Sequence, residues 1–451
     1  MTANSVSQQK EPINGILLIY HHSYKPIASN VLEHIDSFKN HSRFKVWAVN
    51  VELGFPKVLR DYEFQVIVLH YSLFGWLPFY LSKEYLEYLA ESEGSYKIAF
   101  FQDEYRYWPE RSDLLNRYKF DCVYTCIEPA YFKDTYQRYT KVPKLFTYIP
   151  GYVSDDMVKL AREVTRPDRE RTIDIGYRGR QSYHYMGRGG REKHEIGSRF
   201  RELASGLGFK LDIETEEHKR IYGRQWLEFL ANCRAVLGVE AGVSIFDIDN
   251  VIYPQYQTMV AENPKITFDE VYSRLLFQYE DKGVYYRTVS PRAFEAAAVR
   301  ACQILYEGNY SGILKPMVHY IPLKKDFSNF DQVIAMYCDE SFRRELADNA
   351  YRDLIASGQY SYRQFIEMFD QELIKMRISL KVSPESVLKI SARLSEQRAS
   401  VKLRMQLKKL EEMINGLRVK TRSQLARSQY LKILYGKIKS MKGCMRQYKQ
   451  S

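Results

Sequence analysis

The spacing of apolar residues switches between two periods along most of the chain. Residues 13–20, "INGILLIY", form an apolar run that ends in the polar stretch "HHSYKPIASN". A helix-period segment, "VLEHIDSF", follows, and then "RFKVWAVNV" and "QVIVLHYS", both rich in β-branched residues. "YLEYLAESEG" has helical spacing and a glycine stop, "KIAFFQDEY" reads as a strand ending in charges, and "FDCVYTCI" and "KLFTYIP" complete the series. Short apolar strands alternating with helices predict a parallel sheet covered on both faces, so residues 1–150 are expected to form one doubly wound domain.

Residues 151–171 are polar and charged and read as a connector. From 172 the alternation restarts. "TIDIGYRG" is a strand, a glycine-rich loop and the helix "REKHEIGSRFRELASGLG" follow, and then come "FKLDIE", "RQWLEFLANC" and "AVLGVEAG". The segment "SPRAFEAAAVRACQILYE" reads as a capped helix running into a strand, with "HYIPLKKD" and two late helices behind it. Residues 172–355 therefore predict a second α/β domain, and 356–380 a helix crossing back to the first. Two tandem Rossmann-like domains of this kind leave a cleft between the carboxyl ends of their strands, where ligands bind in open α/β sheets. Residues 381–451 are expected to form a helical extension: Leu403, Leu407, Leu410, Ile414 and Leu417 step by 4, 3, 4 and 3.

Charge separates this extension from the body. The formal net charge is +12; residues 401–451 hold 14 of the 67 Lys and Arg and 2 of the 55 Asp and Glu, which leaves the rest neutral. A neutral body argues against a nucleic-acid groove, and the extension has few aromatic residues to stack on bases, so no nucleic-acid partner is expected. A basic amphipathic helix fits an anionic membrane surface, where the protein would be peripheral, or a coiled coil that makes a homo-oligomer, or it is simply solvated. The uncharged run 64–81 contains Gln65, His70, Gly75 and Pro78, which argues for a buried strand and loop and against a membrane span. The polar N-terminus has no signal-peptide core, and six scattered cysteines lack metal or C-x-x-C spacing. Both point to the cytoplasm, at most on the inner face of the membrane.

Three stretches carry candidate chemistry. In the first, Ser290 is a suitable N-cap and Pro291 suits the first helical position, which places Arg292 and Glu295 in the opening turns. Arg292 can pair with a phosphate and Glu295 can accept two hydroxyls of a ribose; alternatively Arg292 is a solvated surface residue and Glu295 only complements the helix dipole. The second is the turn 176–192, "GYRGRQSYHYMGRGGRE", whose glycines and helix start would admit a phosphate beside Arg178 and Arg180, or which is simply a basic loop. The third is "GVEAGVSIFDID", where Glu240 and Asp247 sit beyond a strand end and suit sugar hydroxyls; D-x-D spacing also suits a metal, but no third ligand group lies nearby and none is expected. In the first domain, His21, His22, Ser29, Asp103 and Glu104 follow strands; His21, Asp103 or Glu104 would act as general base or hold an acceptor hydroxyl, or these are simply polar loop residues.

The helix Phe294-Glu295-Ala296-Ala297-Ala298 followed by "CQILYEG", and the later "HYIPLKKDFSNFDQVI", resemble the F-E-A-x-A region of GT-B glycosyltransferases, in the group 1 and spore-maturation-protein-like branches. The resemblance covers residues 172–378 and reaches the first domain only as architecture. It implies transfer of a sugar from a nucleotide-diphosphate sugar to a glycan or lipid-linked acceptor, in bacterial surface polysaccharide synthesis, with no cofactor beyond the donor. It also implies that Glu295 binds the donor ribose and that Arg178 and Arg180 contact its diphosphate. Many members keep another glutamate eight residues earlier, where this chain has Arg287, and a small residue where it has Arg300. These departures leave the stereochemistry open and motivate an alternative, a non-catalytic nucleotide- or glycan-binding protein on the same scaffold.

Overall fold

The computed structural model describes residues 10–23, 29–280, 282–378, 383–395 and 399. The basic stretch 401–451, with its expected membrane, coiled-coil and oligomer contacts, lies outside the described residues, as do residues 24–28 of the first polar loop. The described chain divides into two units. The first, the described residues of 1–52 and 60–382, holds both large sheets; the second comprises Leu53–Leu59 and the described residues from Ser383 onward, helical over 384–395.

The first sheet is built from β1 (Glu11–Tyr20), α1 (Ser29–His41), β2 (Val46–Asn50), β3 (Tyr62–Leu69), α2 (Lys83–Glu91), β4 (Tyr96–Phe100), α3 (Trp108–Arg117), β5 (Cys122–Thr125), the single turn α4 (Tyr136–Tyr139) and β6 (Lys144–Thr147). Its six strands are parallel in the order β2-β1-β3-β4-β5-β6. The apolar runs are its core strands: Ile16 to Ile19 and Val66 to Leu69 are fully buried, as a sheet covered on both faces requires.

The stretch expected to be a connector is mostly helical. Ser154 accepts the amide of Met157 and starts α5 (Asp155–Val164), whose Met157, Ala161 and Val164 enter the core of the second domain. Charged residues between its apolar positions hide the helical period in the sequence. There follow β7 (Ile173–Arg178), α6 (Gly187–Leu203), β8 (Leu211–Glu214), α7 (Gly223–Asn232), β9 (Cys233–Gly238), β10 (Ala241–Val243), α8 (Ile252–Glu262), the short α9 (Phe268–Val271), β11 (Tyr286–Thr288), α10 (Pro291–Ala298), β12 (Cys302–Tyr306), β13 (Ile321–Leu323), α11 (Phe330–Cys338), α12 (Glu340–Tyr351) and α13 (Tyr362–Lys375). Five strands pair in parallel in the order β13-β12-β9-β7-β8, and β10 and β11 form a separate antiparallel pair.

The alanines of α10 have a packing reason. Ala293, Ala296, Ala297 and Ala298 are buried against α5, α7 and α12, and small side chains let four elements converge there. Phe294 fills the remaining space, a burial worth about 2–3 kcal/mol. Beyond α12 the chain returns to the first sheet, where α13 packs on α1. Phe369 meets Phe38 edge-on at 5.1 Å, and buried Asp370 accepts Ser42 Oγ and the Arg43 amide.

Candidate functional site

In the second sheet the strand order reverses between β7 and β9, the position at which open α/β sheets bind ligands. A cavity of about 310 Å³ lies there, lined by the β7 end from Gly176 to Arg180 and the β9 end from Val236 to Ala241. Trp226, Phe229, Leu230, Ala293 and Leu305 give it an apolar wall. Arg178, Arg180, Lys193, Arg220 and Arg292 give it positive charge. The start of α10 enters the same cavity, and no side chain caps its first turn. Ser290 therefore holds the N-cap position without making the expected side-chain bond; its backbone carbonyl accepts the Ala293 amide instead.

The cations differ in how far they are already committed. Arg178 pairs with Asp212 at 2.8 Å, donates to the carbonyls of Tyr177 and Asp212, and stacks 4.3 Å over Phe229. Arg180 is exposed and has no ion pair among the described residues. Lys193 donates to the Gly242 carbonyl at 2.7 Å, and burial lowers its pKa to about 8. Arg292 donates to the Arg178 carbonyl and lies 5.4 Å over the Trp226 ring. Arg220 pairs with Glu217, whereas Arg180, Lys193 and Arg292 make no ion pair among the described residues and supply the charge left without a carboxylate.

A second cavity of about 350 Å³ adjoins the first and shares Arg178, Arg220, Trp226, Ser290 and Arg292 with it. It lies between the two sheets, with Asn30 and Glu33 of α1 on one side and Glu295 on the other. Glu295 accepts the Trp226 indole N–H at 2.6 Å, and burial raises its pKa against the opposing pull of Trp226 and Arg292. Glu33 is raised to about 7, mainly by burial, with the charge of Glu295 adding to it. Two carboxylates from different domains therefore face one cleft.

The turn 176–192 works differently from its sequence reading. The start of α6 is already filled by the chain's own groups. Buried Glu280 accepts the Arg188 amide at 3.2 Å, and Ser244 Oγ accepts the Gly189 amide at 2.9 Å. A Cβ at Gly187, where φ is +73°, would lie 2.4 Å from Ser244 Oγ, and one at Gly189 would lie 2.9 Å from the Ser244 amide. These glycines admit Ser244, just past β10, to the helix, whose first amides are already satisfied by Glu280 and Ser244.

Several candidates are spent on structure. Asp247 accepts the amides of Val251, Ile252 and Tyr253 and anchors the start of α8, which leaves it no hydroxyl to bind. Glu240 borders the first cavity, but its oxygens accept the Tyr310 amide and the Tyr285 hydroxyl. His21 lies outside both cavities, 3.1 Å from Glu52 and stacked on Tyr80. Glu104 is fully buried at the domain contact, accepts the Tyr136 hydroxyl, and is raised to about 7 by burial. Asp103 is exposed at the end of β4, and its charge reaches Lys193. Sequence reasoning missed Glu33, Lys193, Arg220 and Trp226. Glu33 and Trp226 sit in stretches that read as ordinary helix, and only the fold brings Trp226 to Glu295, 69 residues away.

Arg287, which replaces the glutamate common in the resembling family, turns away from the cleft. It pairs with Glu192 of α6 at 2.8 Å, the two side chains being 6% and 9% exposed, and Lys325 holds the other Glu192 oxygen at 2.9 Å. Among the described residues no group of His, Cys, Asp and Glu side chains is arranged to hold a metal ion, and no helix is long and apolar enough to cross a membrane.

Two doubly wound sheets with a cleft at their strand ends define the GT-B architecture. The sequence matches no protein-family model and no curated protein. Among solved structures it is similar to a sucrose-phosphate synthase from Thermosynechococcus elongatus, at 11% identity and a TM-score of 0.45, over 81% of this chain and 99% of that one. Anabaena HepE in complex with UDP-glucose is similar at 11% identity and a TM-score of 0.43, over 80% and 100%. A trehalose-6-phosphate synthase is similar at 10% identity and a TM-score of 0.41, over 80% and 99%.

Proposed function

We propose that this chain transfers a glycosyl group from a nucleotide-diphosphate sugar to a hydroxyl of a glycan or lipid-linked acceptor, without a metal ion. The observation that carries this is the cavity at the β7–β9 reversal, which joins an apolar wall to uncommitted cations and an uncapped helix start. A nucleotide base suits the wall beside Trp226 and Phe229, and a diphosphate suits Arg180, Lys193 and Arg292. Glu295, with one oxygen held by Trp226, offers the other to a ribose hydroxyl.

In the transfer, the bond from the sugar carbon to the phosphate oxygen breaks and a bond to the acceptor oxygen forms. The charge that develops on the leaving diphosphate falls on the three cations and the α10 start. The acceptor proton goes to Glu33, whose pKa of about 7 suits a base working near neutral pH. Asp103, on the first-domain side, is the second carboxylate available to an acceptor.

A panel of nucleotide sugars tested for transfer and donor hydrolysis on the full chain checks this reading. Turnover that falls about 10²–10⁴-fold in Glu33→Gln, with nucleotide binding kept, supports it. Tight nucleotide binding with no turnover on any donor selects the non-catalytic alternative, and no nucleotide binding overturns both.

A further inference from the structure

The opposite end of the same sheet carries a second cationic cavity, which the proposed reaction does not use. It measures about 520 Å³ and lies at the amino ends of β7, β9 and β12. Six arginines line it, Arg166, Arg171, Arg234, Arg300, Arg343 and Arg344, against two carboxylates, Asp168 and Asp348. We infer that this cavity binds a ligand with clustered phosphate oxygens, supplied either by a free polyphosphorylated molecule or by a phosphorylated lipid headgroup.

The carboxylates present do not account for the charge. Asp168 accepts Arg343 Nη2 at 2.8 Å and lies 3.9 Å from Arg234 Nε, Arg234 pairs with Asp174 at 2.5 Å behind the lining, and Asp348 pairs with Arg300, which leaves Arg166 and Arg171 without an ion pair among the described residues. Arg171 is 4% exposed, and its three nitrogens donate only to the backbone carbonyls of Arg166, Cys233 and Val299. Arg343 is 7% exposed, and its buried Nε has no acceptor. Exposed Arg166 has no ion pair among the described residues, and Arg344 meets only Glu340 of its own helix, both well exposed. Burial depresses the Arg171 pKa; Asp168 opposes this, and the like charges of Arg343 and Arg234 add to it.

Like charges gathered in a half-enclosed cavity repel one another, and a multivalent anion relieves that repulsion while supplying acceptors. Forked guanidinium groups from four places in the chain match phosphate oxygens better than a single carboxylate would. The volume falls within the range of small-ligand sites. The site is separate from the nucleotide cavity, although α10 spans the distance: its first turn enters the nucleotide cavity, and the Val299 carbonyl at its far end accepts Arg171.

Titration calorimetry of the full chain with inorganic pyrophosphate at low salt tests the site. Arg180→Gln/Arg292→Gln removes cations of the nucleotide cavity and leaves the second cavity intact. We expect pyrophosphate still to bind that variant, and the affinity to fall about tenfold or more when Arg166→Gln/Arg344→Gln is added. The two rim arginines make no buried bonds, so the added pair should leave the melting temperature unchanged or raised. No binding to Arg180→Gln/Arg292→Gln, or binding indifferent to the rim pair, overturns the inference. Co-sedimentation with phosphatidylcholine vesicles containing phosphatidic acid identifies the source. A loss specific to Arg166→Gln/Arg344→Gln supports the site with a lipid headgroup, and unchanged sedimentation beside lost pyrophosphate binding supports it with a free phosphate.

Discussion

Replacing Arg287 by glutamate would restore the residue common in the resembling family and should unfold the second domain more easily. Arg287 and Glu192 are both nearly inaccessible and sit 2.8 Å apart, so removing either partner strands a buried charge. Such losses run to about 3–5 kcal/mol. Here Lys325 still holds one Glu192 oxygen at 2.9 Å, which reduces the cost of a neutral Arg287→Gln to roughly 2–3 kcal/mol. Arg287→Glu adds a second carboxylate across the same gap. At about 5 Å and an effective dielectric near 20, the repulsion is about 3 kcal/mol, unless one of the pair takes up a proton. Proton uptake means a carboxyl pKa raised on folding. The stability of Arg287→Glu is therefore highest below the unfolded glutamate value near 4.3 and falls as pH rises through the folded value. Differential scanning calorimetry should show the transition of the second domain roughly 10 °C lower than wild type at pH 8. The gap to Arg287→Gln should close toward pH 4, and Glu192→Arg/Arg287→Glu should recover part of the loss. A melting temperature for Arg287→Glu equal to wild type at pH 8 would refute the argument.

Three further outcomes follow from the same geometry. The Glu33 pKa is raised to about 7, so its contribution is complete below about 4.3 and is lost as pH rises through 7; Glu33→Gln should match wild type at pH 4 and exceed it at pH 8 by on the order of 1–3 kcal/mol in urea unfolding, and the opposite sign would sink the assignment. Trp226 lines both front cavities, so a nucleoside diphosphate should change tryptophan fluorescence; Trp226→Phe should abolish most of that change and, by stranding Glu295, cost about 1–2 kcal/mol of stability. Glu280→Gln removes the carboxylate at the start of α6 and should cost about 1 kcal/mol, while nucleotide affinity stays constant in a binding titration; a parallel loss of affinity would return the 176–192 turn to the phosphate site.

The two-domain α/β plan was legible in the sequence because the period of apolar residues reflects which faces are buried, and that is a local property. The strands 13–20 and 172–178, the alanine-rich helix and its Ser-Pro start could all be read this way. Residues 151–171 read as a connector because charge conceals a narrow apolar stripe, and only the neighbouring α7 and α10 show that Met157, Ala161 and Val164 are a packing face. The candidate site divides along the same line. Residue types identified Arg178, Arg180, Arg292 and Glu295 as chemistry near a strand end. They could not show that Asp247, Glu240 and the α6 glycines are already occupied, because their partners are backbone amides and side chains supplied by the fold. Nor could they reveal Glu33 opposite Glu295, or six arginines at the foot of one sheet, since each set is drawn from distant segments. The sequence by itself determined the elements and the kinds of chemistry each end could offer. Which charges remain free to meet a ligand was decided by tertiary structure, because a side chain's chemistry depends on the partners and burial that packing imposes on it.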